Sequence, residues 1–240
     1  MNEKGDRKMS EELERIKKWL KSTEEEPLET MAEFFAARLG DYEEHMSHWK
    51  NLYQEMGERV PKGAGKLLDL GCGTGLELDE IFRHHPDISV TAIDLSPEML
   101  AVLQQKHPDK NICRIAADYF LEPFGTENYD VAVSFETLHH YTAEKKLKVF
   151  QKIWKCLKKG GCYLEADYVA DDDEWEQFLM EECKRRRKKW NIPEEQYVHF
   201  DTPLTLEHEC QLLREAGFSQ IEVFYIEEGD GTPIIQALKG

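Results

Sequence analysis

The chain has 240 residues, 40% of them hydrophobic, enough for one substantial core and a small cap. Its formal charge of −17, from 31 Lys and Arg against 48 Asp and Glu, argues against nucleic acid as the main partner and against an anionic membrane surface. Six cysteines occur without a CxxC pair, which points to neither a zinc ribbon nor a thioredoxin-like redox centre.

The first residues, MNEKGDRKMSEELERIKKW, are charged throughout and lack the apolar core of a signal peptide. No apolar run approaches the roughly 20 residues that span a bilayer. A cytoplasmic protein is expected. Residues 10–21 read as an amphipathic helix with Leu13, Ile16, Trp19 and Leu20 on one stripe. A second helical region runs from Met31 to Val60, interrupted at Gly40 and closed by PKGAG. Its Phe34, Phe35, Trp49 and Tyr53 are candidates for a lid. The period then changes. LLDL (67–70), ISVTAID (88–94), ICRIAAD (112–118), YDVAVSF (129–135) and CYLEADY (162–168) read as strands, with helices at Leu76–His84, Pro97–Lys106 and Ala143–Leu157 between them. This alternation predicts a doubly wound α/β fold with a parallel sheet covered on both faces. DDDEWEQFLMEECKRRRKKW reads as one helix, and WNIPEEQYVHFDTP as a loop carrying Tyr197, His199 and Phe200. TLEHECQLLREAGF forms a further helix, and two strands around GDG make a C-terminal hairpin. The expected domains are a helical cap over 1–60 and an α/β domain over 61–240, with an insert at 171–204 contributing to the lid.

The stretch KLLDLGCGTGLELDEIF places Gly71, Gly73 and Gly75 between a strand and a helix. Glycines permit unusual dihedrals and let a ligand approach the backbone, while the following helix offers free amides and the positive end of its dipole. Asp94 closes the next strand, 19 residues after Gly75, near the spacing at which a carboxylate holds a ribose diol. Together these features specify a nucleoside-type cofactor. The dinucleotide pattern GxGxxG would need glycine at 76, where the chain has Leu76.

LDLGCGTG, AIDLSPEML, AADYF and LKKGG, in this order, resemble the motifs of the class I S-adenosylmethionine-dependent methyltransferases from about Tyr42 to the C-terminus. The resemblance implies a Rossmann-like seven-stranded sheet ending in an antiparallel strand pair, with S-adenosylmethionine as methyl donor and S-adenosylhomocysteine as product. It further implies that Asp69, Gly71, Cys72, Gly73 and Gly75 surround the methionine portion and that Asp94 binds the ribose. Leu95, Met99, Asp118, Tyr119 and Phe135 then line the adenine side, and Tyr42 reaches the donor carboxylate.

Methyl transfer requires an acceptor aligned with the S–CH₃ bond and a group to receive its proton. SFETLHHY, at the tip of the fourth strand, nominates His140 first and His139 second. Glu165 and Asp167 share one face of the next strand, and Glu165 is a further catalytic candidate. No metal-ligand spacing occurs, so no catalytic metal is expected. A small-molecule acceptor is the leading partner, and a homodimer is compatible with the sequence. An NAD-dependent oxidoreductase, a non-catalytic S-adenosylmethionine-binding protein and an RNA or protein methyltransferase remain open. The run KRRRKK (184–189) is expected to be structural, because six consecutive helical residues point in all directions.

Overall fold

The structure is a computed structural model that describes residues 3–226 and 231–240, so the GDG turn lies largely outside the described residues. Apolar residues of both parities along each strand force a layer on both faces of the sheet. Strands β1 (Lys66–Leu70), β2 (Ser89–Asp94), β3 (Ile112–Ala116), β4 (Tyr129–Phe135), β5 (Leu157–Ala166) and β6 (Gln220–Phe224) run in one direction, and β7 (Ile234–Leu238) lies antiparallel between β5 and β6. The order is β3-β2-β1-β4-β5-β7-β6. This is the Rossmann-like seven-stranded arrangement expected from the sequence, and its strand order reverses between β1 and β4, where such sheets bind ligands.

On one face, Leu67, Val90, Val131, Val133 and Leu164 pack with Met56 of α4 (Lys50–Arg59), Ile81 of α5 (Leu76–His84) and Leu103 of α6 (Pro97–Lys106). On the other, Leu68, Leu70, Ile93, Ala132 and Tyr163 meet Phe150 and Ile153 of α7 (Ala143–Cys156) and Leu213 of α9 (Leu206–Ala216). α4 is therefore built into the sheet's own core. Its Gly57 lies so close to α5 that a Cβ there would stand 3.0 Å from the Glu80 carbonyl carbon.

Three further helices precede α4: α1 (Glu3–Ser22), α2 (Met31–Arg38) and α3 (Tyr42–Met46). Thr30 caps α2 with a capping box completed by Glu33. Leu13 and Leu20 of α1 pack with Trp175, Leu179 and Cys183 of α8 (Asp173–Lys189), together with Val198 and Phe200. The basic run of α8 serves this contact. Arg186 is buried and donates to the Leu20 and Thr23 carbonyls at the end of α1, Lys189 donates to the Glu24 carbonyl, and Arg185 and Lys189 pair with Glu24 and Glu25. Cations at a helix C-terminus complement both its unpaired carbonyls and its dipole. Across the same region, His199 N donates to the Glu29 carbonyl at 3.0 Å and Met31 N to the Tyr197 carbonyl at 3.2 Å. The stretch before α2 is thereby stitched to the loop after α8.

Candidate active site

The turn after β1 is made by three glycines in the left-handed region, Gly71, Gly73 and Gly75, at φ 66°, 49° and 74°. Gly73 admits the Tyr42 phenol, whose oxygen would lie 3.0 Å from a Cβ there. Gly75 faces the core instead: a Cβ would come within 2.5 Å of Leu103 Cδ1, so this glycine serves the packing of α5 against α6. Asp94 holds the turn, its Oδ2 accepting from Gly73 N and its Oδ1 from Ser96 N, both at 2.8 Å. Each carboxylate oxygen keeps acceptor capacity towards the cleft.

That cleft is lined by Tyr42, Gly71, Gly73, Asp94, Leu95, Met99, Tyr119 and Phe135 of the sequence-predicted set. Met31, Ala32, Phe35 and Ser96 also line it, and no motif had marked Met31, Ala32 or Ser96 as functional. Cys72 is buried beneath the turn. Asp118 does not line the cleft: its Oδ2 accepts from Tyr197 at 2.9 Å and its Oδ1 from Phe120 N at 2.7 Å.

Behind the turn, Asp69 is fully buried beside Glu77. Burial, and then the neighbouring Glu77, hold the Asp69 carboxyl well above its ordinary range, and burial lifts Glu77 to about 7. Asp94 is likewise pushed up by burial. Three acids, Asp69, Glu77 and Asp94, thus crowd the glycine turn. Because the folded pKa of Glu77 lies above its ordinary 4.5, its stabilising contribution is whole below about 4.5 and is lost as pH rises to about 7. Glu77→Gln should therefore make the ligand-free protein more stable than wild type at pH 8, by roughly 2 kcal/mol, with little difference at pH 4.5; urea denaturation at the two pH values measures this.

A second hollow of about 500 Å³ opens beside the first, and Phe35, Tyr42, Glu136 and His140 line both. Glu136 ends β4 with a left-handed backbone, φ 47°, unusual for a residue with a side chain and found chiefly where a site demands it. His139 and His140 follow. Asp167 Oδ1 lies 2.5 Å from His139 Nδ1, while Asp167 Oδ2 accepts from Leu138 N at 2.9 Å. Burial would lower the His139 imidazole, but Asp167, Asp201 and Glu136 outweigh it and raise it to about 9. Burial and then the adjacent His139 lower His140. Burial and then His140 bring His199, stacked on Phe34, down to about 3. Asp201, which carried no sequence signal, lies 3.2 Å from His140 Nδ1.

Glu165 stands apart. It is fully buried, lines neither hollow, and sits beside the ion pair of Lys146 and Glu209. Strand β5 includes Glu165 but ends before Asp167. The chain leaves the sheet after Ala166, so only Asp167 reaches the histidines.

Residues 67–161 match the family model described as "Methyltransferase domain". Over residues 67–161 the chain is therefore similar to methyltransferase domains. The phosphoethanolamine N-methyltransferase of Plasmodium falciparum is 30% identical over 127 residues, covering 51% of this chain and 46% of that protein. The chain spans half or less of the length of the first curated relatives it matches. Human N-acetylserotonin methyltransferase, solved with S-adenosylmethionine, shares the fold at a TM-score of 0.60 and 19% identity, covering 86% of this chain and 59% of that one. A chain solved in complex with the Haloferax volcanii Trm112 methyltransferase activator does so at 0.67 and 19%, covering 87% and 97%. S-adenosylmethionine is the donor of the class I methyltransferases, and the residues of the cleft fit it: a ribose diol suits the spare acceptor capacity of Asp94.

Proposed function

We propose that the chain binds S-adenosylmethionine in the first cleft and transfers its methyl group to a small molecule held in the second, leaving S-adenosylhomocysteine. The observation that carries this reading is the shared wall. Phe35, Tyr42, Glu136 and His140 border both hollows, so a group on the donor side can meet an acceptor on the other without leaving the protein. When bound, the donor supplies a methyl activated by sulfonium; its C–S bond breaks with both electrons passing to sulfur as the bond to the acceptor forms.

The chain's own residues do the rest. Asp94 holds the ribose, and Leu95, Met99 and Tyr119 bracket the adenine. Tyr42, whose phenol burial keeps protonated, donates towards the methionine carboxylate. Phe34, Phe35 and His199 roof the junction and exclude water, which strengthens every polar contact beneath them. His140 and His139 stand on the acceptor side, where a hydroxyl, thiol or amine gives up its proton. The charge of −17 favours a small acceptor over RNA.

Methyl-labelled donor, offered with a cell extract divided into small-molecule, RNA and protein fractions, tests the acceptor class. Label should enter the small-molecule fraction, and His140→Ala should lower that incorporation at least about tenfold while leaving donor affinity nearly intact. Label confined to RNA or protein would overturn the small-molecule assignment.

A further inference from the structure

His139 and His140 come from the loop after β4, and Asp201 from the loop before α9, so no sequence spacing joins them. The fold does. Thr202 N donates to the His139 carbonyl at 2.7 Å, which fixes Asp201 beside the two imidazoles. Asp201 Oδ1 then lies 3.2 Å from His140 Nδ1 and 3.6 Å from His139 Nε2, and the three atoms all fall within 4.8 Å of one another. Nitrogen and oxygen ligands about 2.0–2.2 Å from a tetrahedral metal are separated by roughly 3.3 Å, so these gaps are those of a ligand set. The imidazole of His140 is 3% exposed, and its buried Nδ1 faces Asp201 Oδ1.

The surroundings supply a second, independent mark. His139 gives its other nitrogen, Nδ1, to Asp167, and this carboxylate is fixed by the Leu138 and Tyr168 amides. A carboxylate behind an imidazole is the arrangement that sets the tautomer of a metal-bound histidine and aims its Nε2 at the ion. Glu136, His139 and Asp167 form an alternative trio, but it would use the His139 nitrogen already held by Asp167 at a separation too short for two ligands of one ion.

We propose that His139 Nε2, His140 Nδ1 and Asp201 Oδ1 bind a divalent transition-metal ion of the zinc class in the wall of the second hollow. Two imidazoles and one carboxylate suit such ions, and three protein ligands leave a position open, the pattern of a catalytic rather than a structural site. All three residues line the hollow, so the open position faces the acceptor. The site stands on its own geometry; its role rests on the methyl-transfer reading. Within that reading, an acceptor hydroxyl or thiol would bind the ion as the anion, its proton leaving to solvent, and so present a lone pair beside His140 at the junction. Acceptors with a metal-binding oxygen or sulfur are the class this site would take.

The test uses chelator-treated full-length protein and Co²⁺ alone, followed by its visible d–d absorption, with Zn²⁺ stoichiometry from equilibrium dialysis and elemental analysis. One equivalent per chain is expected. His140→Gln and Asp201→Asn should each weaken binding at least about 100-fold, and Asp167→Asn, a positioning change, by roughly 10–100-fold. Far-UV circular dichroism and melting curves establish that the variants are folded, and Asp94→Ala should keep full metal binding. Absence of Co²⁺ binding tighter than about millimolar in wild type, or binding that survives both ligand substitutions, overturns the site. Donor binding measured on the same samples separates the two readings: metal without donor would sink the methyl-transfer reading alone, and donor without metal would sink this inference alone.

Discussion

Asp94→Ala should raise the dissociation constant for S-adenosylhomocysteine at least about 100-fold. Two losses combine. The ribose loses a charged acceptor, and hydrogen bonds to charged groups contribute roughly 1.5–3 kcal/mol each. The turn also loses its clasp, because the Asp94 carboxylate joins Gly73 N to Ser96 N across the mouth of the cleft. Without it the glycines have no side chain of their own to hold the cradle open. Burial lifts the Asp94 pKa, so its ionised form costs stability in the ligand-free protein. The alanine variant should accordingly fold with nearly wild-type stability while binding poorly. Isothermal titration calorimetry measures the affinity. An unchanged affinity would show that Asp94 serves the turn and not the ligand.

Lys146→Met should destabilise the protein by about 3–5 kcal/mol, the largest stability effect expected outside the apolar core. Lys146 of α7 pairs with both oxygens of Glu209 of α9 at 2.9 and 3.0 Å, and both side chains are 1% exposed. Burial would lower the Lys146 pKa, but Glu209 outweighs it and the ammonium persists. Glu165 lies on the same cluster, and burial and then Glu209 keep it protonated. Removing the ammonium strands Glu209 in a medium that cannot solvate it. Its folded pKa would then rise further above the unfolded value, so the loss should grow from pH 5 to pH 8. Lys146→Met combined with Glu209→Leu should recover most of the stability, since an apolar pair of similar volume replaces a buried ion pair at little cost. Urea denaturation at the two pH values reads both effects.

The strands, the helices between them and the sheet's antiparallel end could be read from the sequence because they follow from local apolar period and glycine punctuation. The turn at Gly71 to Gly75 and the carboxylate of Asp94 were legible for the same reason: both sit at strand tips, which period locates. α4, which the sequence reading placed within the cap, packs against α5 where Gly57 meets Glu80, a close approach that helical period does not encode. Asp118 and Tyr197, joined at 2.9 Å, come from segments 79 residues apart, and so no motif showed that the acid is engaged from outside the sheet. Asp201 was invisible for a like reason. The sequence marked its loop through Tyr197, His199 and Phe200 but not the acid itself, and hydrogen bonds from Thr202 to the His139 carbonyl hold it beside the histidines. Glu165 illustrates the converse. Strand period assigns it a face, but not the distance from the rim, and a residue one pair deeper in the sheet belongs to the core.

The methyl-transfer reading rests on the cleft between β1, β2 and α2 holding a sulfonium nucleoside. Native mass spectrometry of the purified full chain, with S-adenosylmethionine or S-adenosylhomocysteine added to a nucleoside-stripped sample, asks this directly. A single adduct of either ligand on each folded chain, absent from Asp94→Ala at the same concentration, is the predicted result. A folded wild-type chain that takes up neither nucleoside would contradict it.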